Sequence, residues 1–230
     1  MRICHLILTL LSIIALEAHA SNLRFKHIES ANGLSNNKVN CILKDSDGFM
    51  WFGTASGLNR FDGYNIKVYR ANTVDPYALT DNYIQELHQD SDGRLWVEAG
   101  DAYTIYDPAH DRFINDISHV LDSLGISGTP AQMEMAATGT WIYTEGNGGG
   151  LFRRRSGKTD KASGSLTADG RKITDIATLP DDLTAVVDDR GRISLIDTTM
   201  HIVGMAEVPW ADPGRTTDVR LFAVSDGLLW

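Results

Sequence analysis

A heptapeptide recurs in the sequence with its spacing intact, and the recurrence leaves few folds open. Asp45-Ser46-Asp47-Gly48-Phe49-Met50-Trp51 aligns with Asp90-Ser91-Asp92-Gly93-Arg94-Leu95-Trp96 at an offset of 45 residues. Upstream, Val39 and Ile42 fall on Ile84 and Leu87; downstream, Leu58, Phe61, Asp62 and Val68 fall on Tyr103, Tyr106, Asp107 and Phe113. The same step reaches Trp141, then Val186, where the tryptophan is lost but Asp182 and Asp197 match Asp47 and Asp62. A final match, Ser225-Asp226-Gly227-Leu228-Leu229-Trp230, comes one residue early. A fixed period of this length marks a repeat architecture.

Each unit reads as four short strands. In the first they are Val39–Lys44, Phe49–Gly53, Leu58–Phe61 and Asn65–Tyr69, with turns at Asp45–Gly48, Ala55–Gly57 and Asp62-Gly63. Aspartate and glycine tolerate tight turns, and the segments between them are apolar and β-prone. Only one short helix-like stretch interrupts the pattern. Four strands in 40–50 residues is the size of a β-propeller blade. A β-sandwich also spaces its strands by 8–12 residues, but gives no reason for a tryptophan at every 45th position. The fold class is therefore all-β, a β-propeller of four-stranded blades. It is expected to be incomplete in this chain, with about four blades and the start of a fifth over residues 21–230.

The first unit, from Gly33-Leu34-Ser35 through Asp45-Ser46-Asp47-Gly48-Phe49-Met50-Trp51 to Gly53-Thr54-Ala55-Ser56-Gly57-Leu58-Asn59-Arg60-Phe61-Asp62, resembles the two-component regulator propeller repeat. The second unit keeps the turn and tryptophan but has Glu98 where the repeat has glycine and Tyr103 where it has leucine. The third keeps Trp141 and Gly150-Leu151, and the fourth is eroded. The resemblance implies the periplasmic sensor part of a hybrid two-component system of the Bacteroidetes type. It also implies an oligosaccharide ligand, further propeller blades, a membrane-linked histidine kinase in a longer parent, and a homodimer of that parent.

The amino terminus agrees with export. Arg2, the apolar run Leu6–Leu16 and the small residues of Ala18-His19-Ala20 form the three parts of a secretory signal, with cleavage expected between Ala20 and Ser21. Residues 1–20 are read as that signal. No later stretch approaches the roughly 20 apolar residues that a membrane span needs. Cleavage removes Cys4 and leaves Cys41 without an internal disulfide partner. A net charge of −9 argues against direct contact with nucleic acid.

Other chemistries find weak support. Asp45-x-Asp47-Gly48 and Asp90-x-Asp92-Gly93 lack the third acidic ligand and the closing glutamate of a calcium loop, so they read as hairpin turns and no metal is expected. The run Gly146–Gly150 lacks the lysine of a phosphate loop and reads as an elongated hairpin. Arg153-Arg154-Arg155 with Lys158 and Lys161 reads as a solvated loop that could alternatively face an anionic partner. Trp51, Trp96 and Trp141 repeat too regularly for a sugar platform and are assigned to the core. Ligand contacts are expected instead from loops that differ between blades, such as Asp75-Pro76-Tyr77, Asp107-Pro108-Ala109-His110 and Trp210-Ala211-Asp212-Pro213-Gly214. No catalytic residue and no cofactor can be assigned. The competing reading is a stand-alone secreted propeller, either a carbohydrate-binding scaffold or a polysaccharide lyase.

Overall fold

The computed structural model describes residues 27–136, 139–163, 166, 171–179 and 182–207. Four antiparallel four-stranded sheets follow one another along the chain. The first holds β1 (Val39–Lys44), β2 (Met50–Thr54), β3 (Gly57–Phe61) and β4 (Ile66–Tyr69). The second holds β5 (Ile84–Gln89), β6 (Leu95–Ala99), β7 (Ala102–Asp107) and β8 (Arg112–Ile114). The third holds β9 (Thr129–Ala136), β10 (Gly139–Glu145), β11 (Gly150–Arg155) and β12 (Lys158–Lys161). The fourth holds β13 (Ile173–Thr178), β14 (Thr184–Asp188), β15 (Arg192–Ile196) and β16 (Ile202–Glu207). Among the described residues one α-helix, α1 (Ser118–Leu124), lies between β8 and β9. Sheets meet mainly through their first strands, β1 with β5, β5 with β9 and β9 with β13. Those strands are therefore innermost, and the four sheets form an open arc of β-propeller blades.

The repeated aspartate explains the repeated turn. Asp45 Oδ1 accepts from the Phe49 amide at 2.8 Å, and Gly48 completes the turn at φ +92°, where a side chain would be strained. The other oxygen, Oδ2, accepts from the Trp51 indole at 2.7 Å. Asp90 repeats both contacts, with the Arg94 amide at 2.9 Å and the Trp96 indole at 2.9 Å. One carboxylate thus closes the hairpin and satisfies an indole N–H that burial would otherwise leave unpaired.

Trp51, Trp96 and Trp141 are each at most 1% exposed, and each enters the interface with the next blade. Trp51 packs with Leu87, Val97, Tyr106 and Phe113, and Trp96 with Met133, Ile142 and Phe152. Trp141 packs with Ile173, Ile176, Val186 and Ile196. These contacts correct the fourth register. Val186 faces back to the third blade, whereas Ala185 and Val187 cluster on the opposite face with Ala177. A slip of one residue inverts a strand's faces, so the forward-facing position of blade four is held by Ala185 and Val187, not by Val186.

The basic run also needs correction. Arg153 and its neighbours occupy β11, and Lys158 and Lys161 bound β12, so the segment is a hairpin within the third blade, not a solvated loop. Arg153 is buried, lies over the Trp141 ring at 5.4 Å and donates to the Thr198 carbonyl of blade four at 2.8 Å. Arg154 reaches back to Asp92 of blade two at 2.7 Å. The glycine run lies across the β10–β11 hairpin, as expected.

Arg60 repeats the Arg153 arrangement in blade one, over Trp51 and against Tyr106 and Asp111 of blade two. Asp111 accepts from the Tyr69 and Tyr106 hydroxyls, each at 2.6 Å, and pairs with Lys67. Partial burial pushes the Asp111 carboxyl up, but those donors outweigh it and hold it down to about 2. A depressed carboxyl contributes stability that is present above the unfolded value of about 3.8 and lost as pH falls through about 2. Asp111→Asn, which tolerates the residue's positive φ, is expected to lower unfolding free energy by about 1–2 kcal/mol at pH 7. Urea titrations should show the deficit shrinking toward pH 2.

Candidate functional site

The tryptophan interfaces are filled by repeat residues, so space for a ligand must come from where the repeat fails. In blade one Gly53 is such a repeat position, and a Cβ there would meet Cys41 Sγ at 2.3 Å and an Ile84 methyl at 2.7 Å. The corresponding residue of blade two is Glu98, and the partner of Glu98 across the hairpin is Tyr103. Both departures from the repeat thus fall side by side. Tyr103 Oη donates to Glu98 Oε2 at 3.5 Å, and Gln85 Nε2 donates to Glu98 Oε1 at 3.0 Å.

Glu98 joins two adjacent cavities. One, of about 490 Å³, is lined by Asn40 and Cys41 of β1, Tyr83, Gln85, Glu86 and His88 at β5, and Gln132 of β9. The other, of about 600 Å³, is walled by Asp101, Thr129, Glu145, Lys172, Thr174 and Asp189. Glu98 and Gln132 border both. The resulting cleft follows the inner strands across all four blades. Tyr83 stands at its edge, 42% exposed, with Lys38 over its ring at 5.6 Å.

The wall is rich in carboxylates and amides. His88 Nε2 lies 3.1 Å from Glu86 Oε2. Burial raises the Tyr103 hydroxyl far above its usual range, and the carboxylates of Glu98 and Glu86 add to that rise. Burial likewise pushes the Cys41 thiol up to about 12, with Glu86 and Glu98 again contributing, which leaves a protonated and poorly nucleophilic sulfur. Among the described residues no group of three histidine, cysteine, aspartate or glutamate side chains is arranged to hold a metal ion. The cleft offers an aromatic face beside paired hydrogen-bonding groups.

The loops expected to carry ligand contacts lie elsewhere. Arg112 sits over the Tyr77 ring at 4.3 Å and 3.4 Å from Asp107, whose other neighbour is His110 at 2.7 Å. Two of the loops thus meet at β8, the outer strand of blade two. Residues 210–214 lie outside the described residues. Sequence reasoning missed Gln85, Glu86 and Gln132, which belong to inner strands, and Tyr83, which directly precedes β5. The usable signal was Glu98 and Tyr103, noticed only as departures from the repeat.

Residues 33–56 and 78–97 match the two-component regulator propeller family. The first two blades carry two-component regulator propeller repeats. A stretch of 67 residues is 42% identical to Histidine kinase P4 of Formosa agariphila, covering 29% of this chain and 5% of that protein. The aligned stretch is thus about one-twentieth of the length of that curated relative. Among solved structures, the extracellular domain of a one-component system from B. thetaiotaomicron superposes with a TM-score of 0.55 at 23% identity. That match covers 90% of this chain and 31% of the other. An inactive H270A virginiamycin B lyase from Staphylococcus aureus superposes with a TM-score of 0.52 at 18% identity, over 92% of this chain and 68% of that one. At these identities the two structures speak for the propeller fold alone.

Proposed function

We propose that this chain is the sensory propeller segment of a hybrid two-component signalling protein, exported across the membrane that holds its kinase. The repeat match in blades one and two carries this reading, and the 67-residue stretch 42% identical to a histidine kinase supports it. The segment itself performs no catalysis. It binds an oligosaccharide in the inner-strand cleft, where Tyr83 offers a stacking face and Gln85, Glu98 and Gln132 offer hydrogen bonds to hydroxyls. Binding biases how blades, propellers or protomers pack, and the longer homodimeric parent conveys that bias to its kinase as a population shift.

The test is titration calorimetry against a panel of oligosaccharides, using the wild type, Tyr83→Ala and Glu98→Ala. Losing the platform or the shared carboxylate is expected to weaken binding at least about tenfold, the effect of about 1.4 kcal/mol. An oligosaccharide bound equally by all three proteins would place its site elsewhere. No binding across the panel would count against carbohydrate sensing.

A further inference from the structure

We propose that the fold makes Asn147, and not Asn32, a site of spontaneous covalent modification, at which the side-chain amide is lost and an aspartyl or isoaspartyl residue takes its place. The reactants are the Asn147 side chain, the Gly148 backbone nitrogen and water. The inference needs no ligand and stands apart from the sensory reading above.

The chemistry belongs to an asparagine followed by glycine. The Gly148 nitrogen, having given its proton to a base in solvent, bonds to the carbonyl carbon of the Asn147 side chain. The carbon–nitrogen bond of the side-chain amide breaks, and its nitrogen takes a proton from water and leaves as ammonia. A five-membered succinimide remains. Water opens that ring at either carbonyl, which gives the aspartyl or the isoaspartyl form. The sum is one water consumed and one ammonia released, with no change in oxidation state. Glycine favours the step because no side chain hinders its nitrogen and its backbone turns freely.

The sequence holds two such pairs, Asn32-Gly33 and Asn147-Gly148. Both asparagines are exposed, yet their bonding differs. Asn147 and Gly148 are the two central residues of the β10–β11 turn, which closes through the Gly149 amide and the Gly146 carbonyl at 3.1 Å. That bond leaves both reacting groups untouched: among the described residues nothing hydrogen-bonds the Gly148 N–H or the Asn147 side chain. Lys161 Nζ donates to the Gly148 carbonyl at 2.7 Å, and its charge eases loss of the proton from the same residue's amide. At the other pair, the Gly33 amide donates to the Ser30 carbonyl at 3.1 Å, and Asn32 Oδ1 accepts from the Glu29 amide at 3.1 Å. A short 3-10 helix over Ser30–Asn32 thus holds both reacting groups, and attack there must wait for local opening. Conversion at position 147 adds negative charge two residues from Glu145, which pairs with Lys172 in the wall of the cleft.

The test is peptide mapping by mass spectrometry after the full chain has been kept in warm, mildly alkaline buffer. Conversion at Asn147 is expected to run at least about tenfold ahead of that at Asn32, where two hydrogen bonds must break first. In urea, where neither segment is held, the two rates should converge. Asn147→Gln, whose longer side chain would have to close a six-membered ring, should abolish the fast conversion and leave that at Asn32 unchanged. A folded protein in which Asn147 reacts no faster than Asn32 would overturn the proposal, and so would a difference that persists in urea. The decisive comparison lies within the wild type and does not depend on how the variant folds.

Discussion

Trp96→Ala is expected to destabilise the protein by about 4 kcal/mol, because it empties the largest buried side chain between blades two and three. The indole fills a space bounded by Ile105 of its own blade, Met133, Ile142 and Phe152 of the next, and Leu121 and Leu124 of α1. Strands fixed at both edges cannot collapse far to close such a cavity. Trp96→Phe retains most of the apolar contact, removes the N–H, and should cost about half as much. Thermal or urea unfolding with hydrogen exchange would test this. Protection should fall first in β5, β6 and β9, on both sides of the cavity. A loss below about 1 kcal/mol for the alanine variant would show that this tryptophan does not hold the blades together.

The sequence made the packing scheme legible because packing is what repeats. β7 begins 45 residues after β3, and β15 spans Arg192–Ile196, three periods beyond Gly57–Phe61. The tryptophan position declared its role by recurring wherever one blade meets the next. Blade four was harder to read. Its aspartate-capped turn is Asp188–Arg192, between the second and third strands, and the one-residue slip that turns Val186 backward leaves no mark in a run of alanine and valine. The arginine run misled for a related reason: three adjacent charges suggest a solvated loop. Arg153 is nevertheless buried by lying over Trp141 and reaching the Thr198 carbonyl, contacts that depend on distant residues.

The cleft was only partly legible because it consists of exceptions. Gln85 and Glu86 occupy the positions of Asn40 and Cys41, and Gln132 has no recurring partner, so no motif announces them. Their meeting depends on the curvature that brings β1, β5 and β9 together. Glu98 was visible as a lost glycine. The size of a side chain explains the difference between the two positions: Gly53 leaves room for Cys41 and Ile84, whereas Glu98 faces a cavity and hydrogen-bonds Gln85.

Asp90→Ala should cost about 3 kcal/mol, more than any other polar substitution considered, since this carboxylate serves a turn and a core at once. Its side chain is 1% exposed; Oδ1 accepts from the Asp92 and Arg94 amides at 2.9 Å, and Oδ2 accepts from the Trp96 indole at 2.9 Å and from Arg94 Nη1 at 3.2 Å. Alanine takes the acceptor from both amides and from the indole deep between blades, while Arg94 keeps Asp92 at 2.6 Å. Asp90→Asn separates the two tasks, because its amide oxygen can still cap the turn while its NH2 group faces an indole that can only donate. The asparagine variant should therefore retain about half the loss, and adding Trp96→Phe to it should cost less than the two changes summed. Asp188 supplies an internal control. Its Oδ1 accepts from the Arg190 and Arg192 amides just as that of Asp90 accepts from Asp92 and Arg94, and its Oδ2 meets the guanidinium of Arg192 as that of Asp90 meets Arg94, but Arg171 takes the place of the indole. If the turn alone mattered, Asp90→Asn would be mild and would show no coupling to Trp96→Phe. If the indole bond carries the energy, only the Asp90 variant shows coupling to a tryptophan, and urea unfolding of the four proteins in that cycle decides between them.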